Sequence, residues 1–215
     1  MSSDSAERRG RPLTVIALVL AGVLILAVVV MRGLGGLQQT PLPVIGLVPP
    51  FELVDQSGET FASDRLDGHV WVASFVYTTC PGPCPRVVRH LGNIERETGG
   101  DPRIRIVTFS VDPEADTPEV LAAYARTHSI NAARWKLLTG PAEQVFDVVR
   151  KGFFLAVERA EGVSAEVLER EGPVIHSTKL VIVDGAKRIR GYYDAEDREA
   201  RERLMSDMRG LLRDL

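Results

Sequence analysis

Hydrophobic and polar positions follow three regimes along the chain. Residues 13–31 form an unbroken apolar run with no charge and a single polar side chain, Thr14. At helical rise these 19 residues reach roughly 28 Å, enough for a hydrocarbon core. Residues 33–50 are rich in Gly, Pro and Gln and carry no period. From residue 51 onward, apolar residues recur at the spacings of strands and helices.

That third stretch predicts a definite order of elements. Residues 51–55 and 59–61 flank Gln56-Ser57-Gly58 as a small hairpin. Residues 70–77 are dense in β-branched and aromatic side chains and predict a buried strand. Val87, Val88, Leu91 and Ile94 follow at helical spacing. Residues 103–111 predict a second strand. Thr117-Pro118-Glu119 then opens a helix reaching about His128: a hydroxyl cap, a proline in the first turn, an acid near the positive dipole end. A short strand over 135–138 precedes a helix from Gly140-Pro141 to about Lys151. Residues 174–183 predict one long strand, Asp184-Gly185 a turn, and residues 188–193 its hairpin partner. Residues 195–215 close the chain as an amphipathic helix with Leu204, Met208, Leu211 and Leu212 on one face. The order is βαβα, a short βα insertion, then ββα. This is a thioredoxin-like α/β arrangement, a mixed sheet flanked by helices. The expected organisation is a cytoplasmic N-terminus (1–12), one N-terminal transmembrane helix (13–31), a linker (32–50) and a single domain (51–215).

Charge sharpens the first regime. Arg8, Arg9 and Arg11 precede the apolar run and Arg32 follows it. This asymmetry predicts a single-pass inner-membrane protein with a cytoplasmic N-terminus and an exported domain, periplasmic or otherwise extracytoplasmic. A cleaved signal peptide is the alternative, but its apolar region is usually shorter and no small-x-small site ends this run. Asp4 and Glu7 leave no room for an acid-poor transit peptide. The net charge is -3, with no basic stripe, which argues against nucleic acid as a partner.

The chemistry concentrates in one loop. The only two cysteines of the sequence lie in Cys80-Pro81-Gly82-Pro83-Cys84, between a predicted strand and a predicted helix. In an open α/β sheet that is where ligands sit. A helix N-terminus stabilises negative charge, so lowered thiol pKa values are expected there. Pro81, Pro83 and Pro85 stiffen the loop and Gly82 lets it turn. The sulfurs can share one soft metal or close into a disulfide. A purely structural disulfide is a poor reading, because so short a loop gains little from closure.

A two-sulfur site lacks a third ligand for most metals. His69 lies in a turn, His90 six positions beyond Cys84 on its helix, and His128 near a helix end. His176 lies just after Gly172-Pro173, at the start of the 174–183 strand. In a thioredoxin-like fold the loop entering that strand faces the cysteine loop, so His176 is the favoured ligand. Two thiolates and an imidazole suit copper in either oxidation state, and also zinc. Zinc with an open position would call for a general base. Asp112 and Asp184 read more simply as turn residues. No phosphate loop, Ser-His-Asp set or His-Glu-x-x-His is present.

Four segments together resemble the SCO/SenC family of copper proteins, over roughly residues 51–193. They are Phe75-Val76-Tyr77-Thr78-Thr79-Cys80-Pro81-Gly82-Pro83-Cys84-Pro85, then Ser110-Val111-Asp112-Pro113-Glu114 with Asp116-Thr117-Pro118, then Leu138-Thr139-Gly140, then His176-Ser177-Thr178 with Asp184-Gly185. The resemblance implies that Cys80, Cys84 and His176 bind one copper ion. It further implies copper delivery to, or thiol reduction at, the binuclear copper site of cytochrome c oxidase during assembly. The implied partners are the oxidase subunit carrying that site and another periplasmic copper chaperone upstream. The polar, Glu-rich stretch 156–172 departs from the family pattern and reads as an exposed loop, either a partner surface or a solvated insertion. The reading from another class is a thiol-disulfide oxidoreductase using Cys80 and Cys84 without copper.

Overall fold

The structure, a computed structural model, describes residues 10–35, 41–159, 164, 166 and 174–215, with no side chain described at 10–14, 30–35, 175 and 176. It divides into two units, Met1–Pro41 and Leu42–Leu215. The first holds α1 (Gly10–Gly35). Every side chain described on it, at residues 15–29, is exposed. Among the described residues no helix is long and apolar enough to cross a membrane. The transmembrane helix expected over 13–31 is therefore not shown.

The second unit is built on an eight-stranded mixed sheet. Its strands are β1 (Gly46–Leu47), β2 (Glu52–Asp55), β3 (Thr60–Ala62), β4 (Val70–Val76), β5 (Ile104–Ser110), β6 (Trp135–Thr139), β9 (Lys179–Val183) and β10 (Arg188–Asp194). A separate two-stranded sheet joins β7 (Val157–Arg159) and β8 (Val174–His176). The large sheet runs in the order β1-β10-β9-β4-β5-β6-β2-β3. β4 and β5 are parallel, from Val70 opposite Ile104 to Val76 opposite Ser110. All of β4 is buried, as its β-branched and aromatic content requires of a strand covered on both faces. On one side α2 (Cys84–Glu97) lays down Val87, Val88, Leu91 and Ile94, the apolar spacing read in the sequence. α5 (Arg198–Arg213) buries Leu204, Met208 and Leu211. An aromatic cluster forms elsewhere in the core: Phe75 stacks on Phe109 at 5.8 Å, and Phe153 meets Phe75 edge-on at 5.1 Å and Trp71 at 5.9 Å. Phe153 ends a single π turn (Val148–Gly152) that continues α4 (Ala142–Asp147), where an unbroken helix was expected. The start of α3 (Pro118–Thr127) is as expected, with the Thr117 hydroxyl accepting the Val120 N–H.

Two expectations in the second half of the chain require correction. The strand predicted over 174–183 is broken. β8 pairs with β7, His176 opposite Val157, whereas β9 pairs with β4 and β10. The break falls at Ser177 and Thr178, where the Ser177 hydroxyl accepts the Lys179 N–H at 3.2 Å. Continuous β-branched sequence predicts strand but not which sheet each half joins. The stretch 156–172 also begins as structure: Val157 is fully buried within β7. The rest of that stretch lies almost entirely outside the described residues, and so do Gly172 and Pro173.

The expected linker over 32–50 likewise gives way early. The compact unit begins at Leu42, Val48 is 1% exposed, and β1 pairs with β10. The Arg190 guanidinium holds this lead-in segment by donating to the Pro43 carbonyl at 3.1 Å and to the Leu42 carbonyl. Its other end meets Asp184 at 2.6 Å. Asp184, read from sequence as a turn residue, is one: it accepts the Ala186 and Arg188 N–H groups at 3.0 Å each. It is also a buried ion-pair partner. Burial alone would raise its pKa, but hydrogen bonds from Arg190 and from the Arg188 and Ala186 main chain outweigh that and hold it below the usual carboxylate range.

Asp184→Asn is expected to cost about 3 kcal/mol of unfolding free energy at pH 7, because it strands a buried guanidinium. A carboxyl with a depressed folded pKa stabilises fully above its unfolded value of about 3.9, and that contribution fades as pH falls through the folded value. Urea titrations should therefore show the gap between parent and variant closing below about pH 4.

Candidate functional site

The parallel strands β4 and β5 end side by side, and each leads into a loop of interest. Val111 N–H donates to the Val76 carbonyl at 2.9 Å, extending the pairing one step past the strands. From there the chain after β4 turns through Tyr77 into the cysteine loop. Cys80 N–H closes that turn on the Tyr77 carbonyl at 3.3 Å. Cys84 is the first residue of α2, and Pro85 comes next in the first turn, where a missing N–H costs nothing. Both cysteines are free thiols and both are buried, Cys80 at 7% exposure and Cys84 at 0%. The structure thus brings Cys80 and Cys84 together as the spacing predicts, and their thiol groups are hydrogen-bonded to one another.

The lowered thiol pKa expected from the helix N-terminus does not hold for Cys84. Its hydrogen bond to Cys80, together with burial, pushes the thiol far upward, opposed only in part by a hydrogen bond from the Tyr77 main chain. Within about one helical turn a dipole shifts a group modestly, whereas full burial beside a second sulfur is the larger effect. Two tyrosines attend the pair. Burial raises the Tyr77 hydroxyl, and its interaction and hydrogen bond with Cys80 raise it further. Burial likewise raises Tyr124 on α3, and the next contributions come from Cys84 and Cys80. These interactions set Tyr124 near the sulfurs.

The loop after β5 supplies a buried carboxylate. Asp116 is 0% exposed. It accepts the Thr78 N–H at 3.1 Å, the Thr78 hydroxyl, and the Ser110 hydroxyl at 2.6 Å. Asp112 behaves as the turn residue it resembles: its carbonyl accepts the Ala115 and Asp116 N–H groups. Its carboxyl is raised by burial and by the Asp116 charge, partly countered by Arg159. Arg159 on β7 also pairs with Glu114 at 2.6 Å. The same loop therefore touches the cysteine turn through Asp116 and the β7–β8 hairpin through Glu114.

The four histidines occupy separate places. His176 ends β8, its main chain opposite Val157; its ring lies outside the described side chains. His69 bonds the Asp67 carbonyl at 3.0 Å through Nδ1. His90 lies on α2 in a groove shared with α5, its pKa lowered by burial and by Arg201 and Arg89. His128 caps α3 and packs on Tyr124 with ring centres 4.2 Å apart. Among the described residues no group of three His, Cys, Asp or Glu side chains is gathered to hold a metal. Sequence reasoning passed over Asp116 and Tyr124. Asp116 stood inside a quoted motif, but only its bonds reveal its reach to Thr78. Tyr124 carried no signal beyond helical spacing.

Comparison with known proteins bears on this arrangement. The family model SCO1/SenC matches residues 42–213, which begins at the first residue of the compact unit. The SCO1 protein homolog of Bacillus subtilis is 28% identical over 176 residues, 81% of this chain and 87% of that protein. Among solved structures, BsSco, described as a member of the Sco family of cytochrome c oxidase assembly proteins with a disulfide switch, is 26% identical. It superposes with a TM-score of 0.68 over 81% of this chain and 98% of that one. Yeast Sco1, solved with copper bound, shares the fold at a TM-score of 0.59 and 22% identity, over 76% of this chain and 89% of that one. The parallel strand ends, the paired thiols between strand and helix, and a family match spanning the whole compact unit agree: this chain belongs to the SCO1/SenC family.

Proposed function

We propose that this chain is a copper carrier for cytochrome c oxidase assembly. It takes up one copper ion through Cys80, Cys84 and His176 and passes it to the copper-site subunit of the oxidase. The observation that carries this reading is the pair of buried, mutually hydrogen-bonded free thiols at the shared end of β4 and β5. Two buried thiols within one five-residue turn are placed to converge on one soft ion at about 2.3 Å. The donor set suits copper as cargo: thiolates favour Cu(I), and an imidazole from the β7–β8 hairpin would complete a site that also holds Cu(II). The Arg159–Glu114 pair supports this by tying the hairpin to the loop beside the cysteines. Transfer is ligand exchange. An acceptor thiolate bonds to copper, the copper–Cys80 bond breaks, and the metal keeps its oxidation state. Cys80 regains a proton as the acceptor thiol loses one.

Membrane attachment belongs to the same proposal. Its support is the uncharged run 13–31, the arginines on its N-terminal side, and the exposed Val, Leu and Ile side chains over residues 15–29. A helix apolar all round needs an apolar surrounding. The domain would then stand in the periplasm, where a dithiol can be oxidised.

One observation favours a second reading. BsSco carries a disulfide switch, and the two thiols here are close enough to hydrogen-bond. As a thiol-disulfide oxidoreductase, Cys80 would attack a substrate disulfide, forming one S–S bond as the substrate's breaks. Cys84 would then resolve the mixed disulfide, leaving the substrate with two thiols and this chain with a disulfide. Cys80 suits attack better, since the fully buried Cys84 thiol resists deprotonation.

Three outcomes are expected. The reduced full-length protein binds one copper ion per chain. Cys80→Ser or Cys84→Ser abolishes binding, whereas His176→Ala loses the Cu(II) form and keeps Cu(I); full Cu(II) affinity in that variant would falsify the third ligand. In the metal-free reduced protein, peptide mapping after brief iodoacetamide treatment at pH 8 finds Cys80 modified well before Cys84, with Cys84 gaining as pH rises. Finally, the full chain stays with membranes through an alkaline carbonate wash, and removal of residues 1–35 releases it; release of the intact chain would sink the anchor.

A further inference from the structure

The buried carboxylate beside the cysteine turn is unusual in its partners. Asp116 has no exposed surface, yet among the described residues its side chain is met by uncharged donors alone. Its carboxylate takes the Thr78 N–H on both oxygens, at 3.1 and 3.3 Å. One oxygen also takes the Thr78 hydroxyl and the other the Ser110 hydroxyl at 2.6 Å. Ser110 in turn accepts the Asp112 N–H at 3.2 Å, so the network also holds the start of the β5–α3 loop. Burying a charge without a countercharge is costly unless its lone pairs are filled. Three donors converging on one side chain explain why an acid stands here. A carboxylate accepts at both oxygens, whereas Asn would offer one oxygen and turn an N–H₂ toward the rest.

Thr78 is two residues before Cys80, and it leaves the sheet just where β4 ends. We propose that Asp116 is the positioning residue of the cysteine loop: by tying Thr78 to Ser110 at the end of β5, it fixes where the chain departs from the sheet and so where the two sulfurs converge. Its bonds run to Thr78 and Ser110, and it acts on the sulfurs through Thr78. The inference rests on the copper reading only for its metal consequence. The clasp itself is a property of the apo chain.

Hydrogen–deuterium exchange on the reduced, metal-free, full-length protein tests it. Asp116→Asn and Thr78→Val are each compared with the parent. Asp184→Asn serves as the control: it removes a buried ion pair at the opposite end of the sheet, since Asp184 follows Val183, which pairs with Trp71 near the start of β4. Releasing a charge-assisted bond should speed exchange of the 77–84 peptide by about tenfold or more in both clasp variants, with little change in β9 and β10. The control should lower the melting temperature without opening that peptide selectively. In the same variants the Cu(I) dissociation constant should rise in the order of their exchange rates.

Unchanged exchange at 77–84 in Asp116→Asn overturns the proposal, and so does acceleration spread equally over every strand. A third result also overturns it. If Asp116→Asn alters copper affinity while Thr78→Val, which keeps the charge, leaves affinity and exchange alone, the carboxylate acts by its field and not by position. A parent protein that binds no copper sinks the carrier reading, yet the exchange arm still decides the role of Asp116.

Discussion

The parallel pairing of β4 with β5 is the constraint on which the rest depends. Seven residue pairs hold it in one register, from Val70 opposite Ile104 to Val76 opposite Ser110. β4 is buried on both faces, and a slip of one residue would turn Phe75 and Trp71 out of the aromatic cluster they share with Phe153. Because the strands are parallel, both finish at the same edge. The cysteine turn comes directly after β4, and the acidic loop comes directly after β5. The sheet therefore delivers a dithiol and a buried carboxylate to one place without either segment specifying the other.

At that edge the electrostatics favour the protonated form of Cys84. Its hydrogen bond to Cys80 and its burial raise the thiol, and the charge of Asp116 adds to the rise. A thiol so placed stays inert until something binds strongly enough to displace its proton. A soft cation does so, since metal binding and proton release are linked. The same environment makes Cys84 a weak nucleophile at neutral pH.

A second linkage runs sideways. Arg159 of the β7–β8 hairpin reaches Glu114, and the Arg150 guanidinium holds the Val157 carbonyl at 2.6 and 3.0 Å. The hairpin is thereby fastened to the domain at both ends of β7. The Arg159–Glu114 pair is partly exposed, so its contribution is modest. Its importance is geometric, because β8 carries His176 at its end.

Much of this was legible in the chain itself. Apolar alternation and β-branched density marked β4, β5 and β10, helical spacing marked α2 and α5, and Thr117-Pro118 marked the start of α3. Local physical chemistry dictates these features, so a short window of sequence contains them. The Cys80–Cys84 loop was legible for the same reason: two thiols and three prolines within six residues announce a site wherever the chain carries them. Tertiary structure alone decided what depends on distant partners. It broke 174–183 into two strands, because one half pairs with β7 and the other with β4. It drew residues 42–50 into the domain, because Arg190 and β10 bind them. It raised the Cys84 thiol where the helix end alone would lower it, and it set Asp116 against Thr78, 38 positions away. In each case the deciding energy comes from burial or from a bond across the fold, and neither exists until the chain has folded.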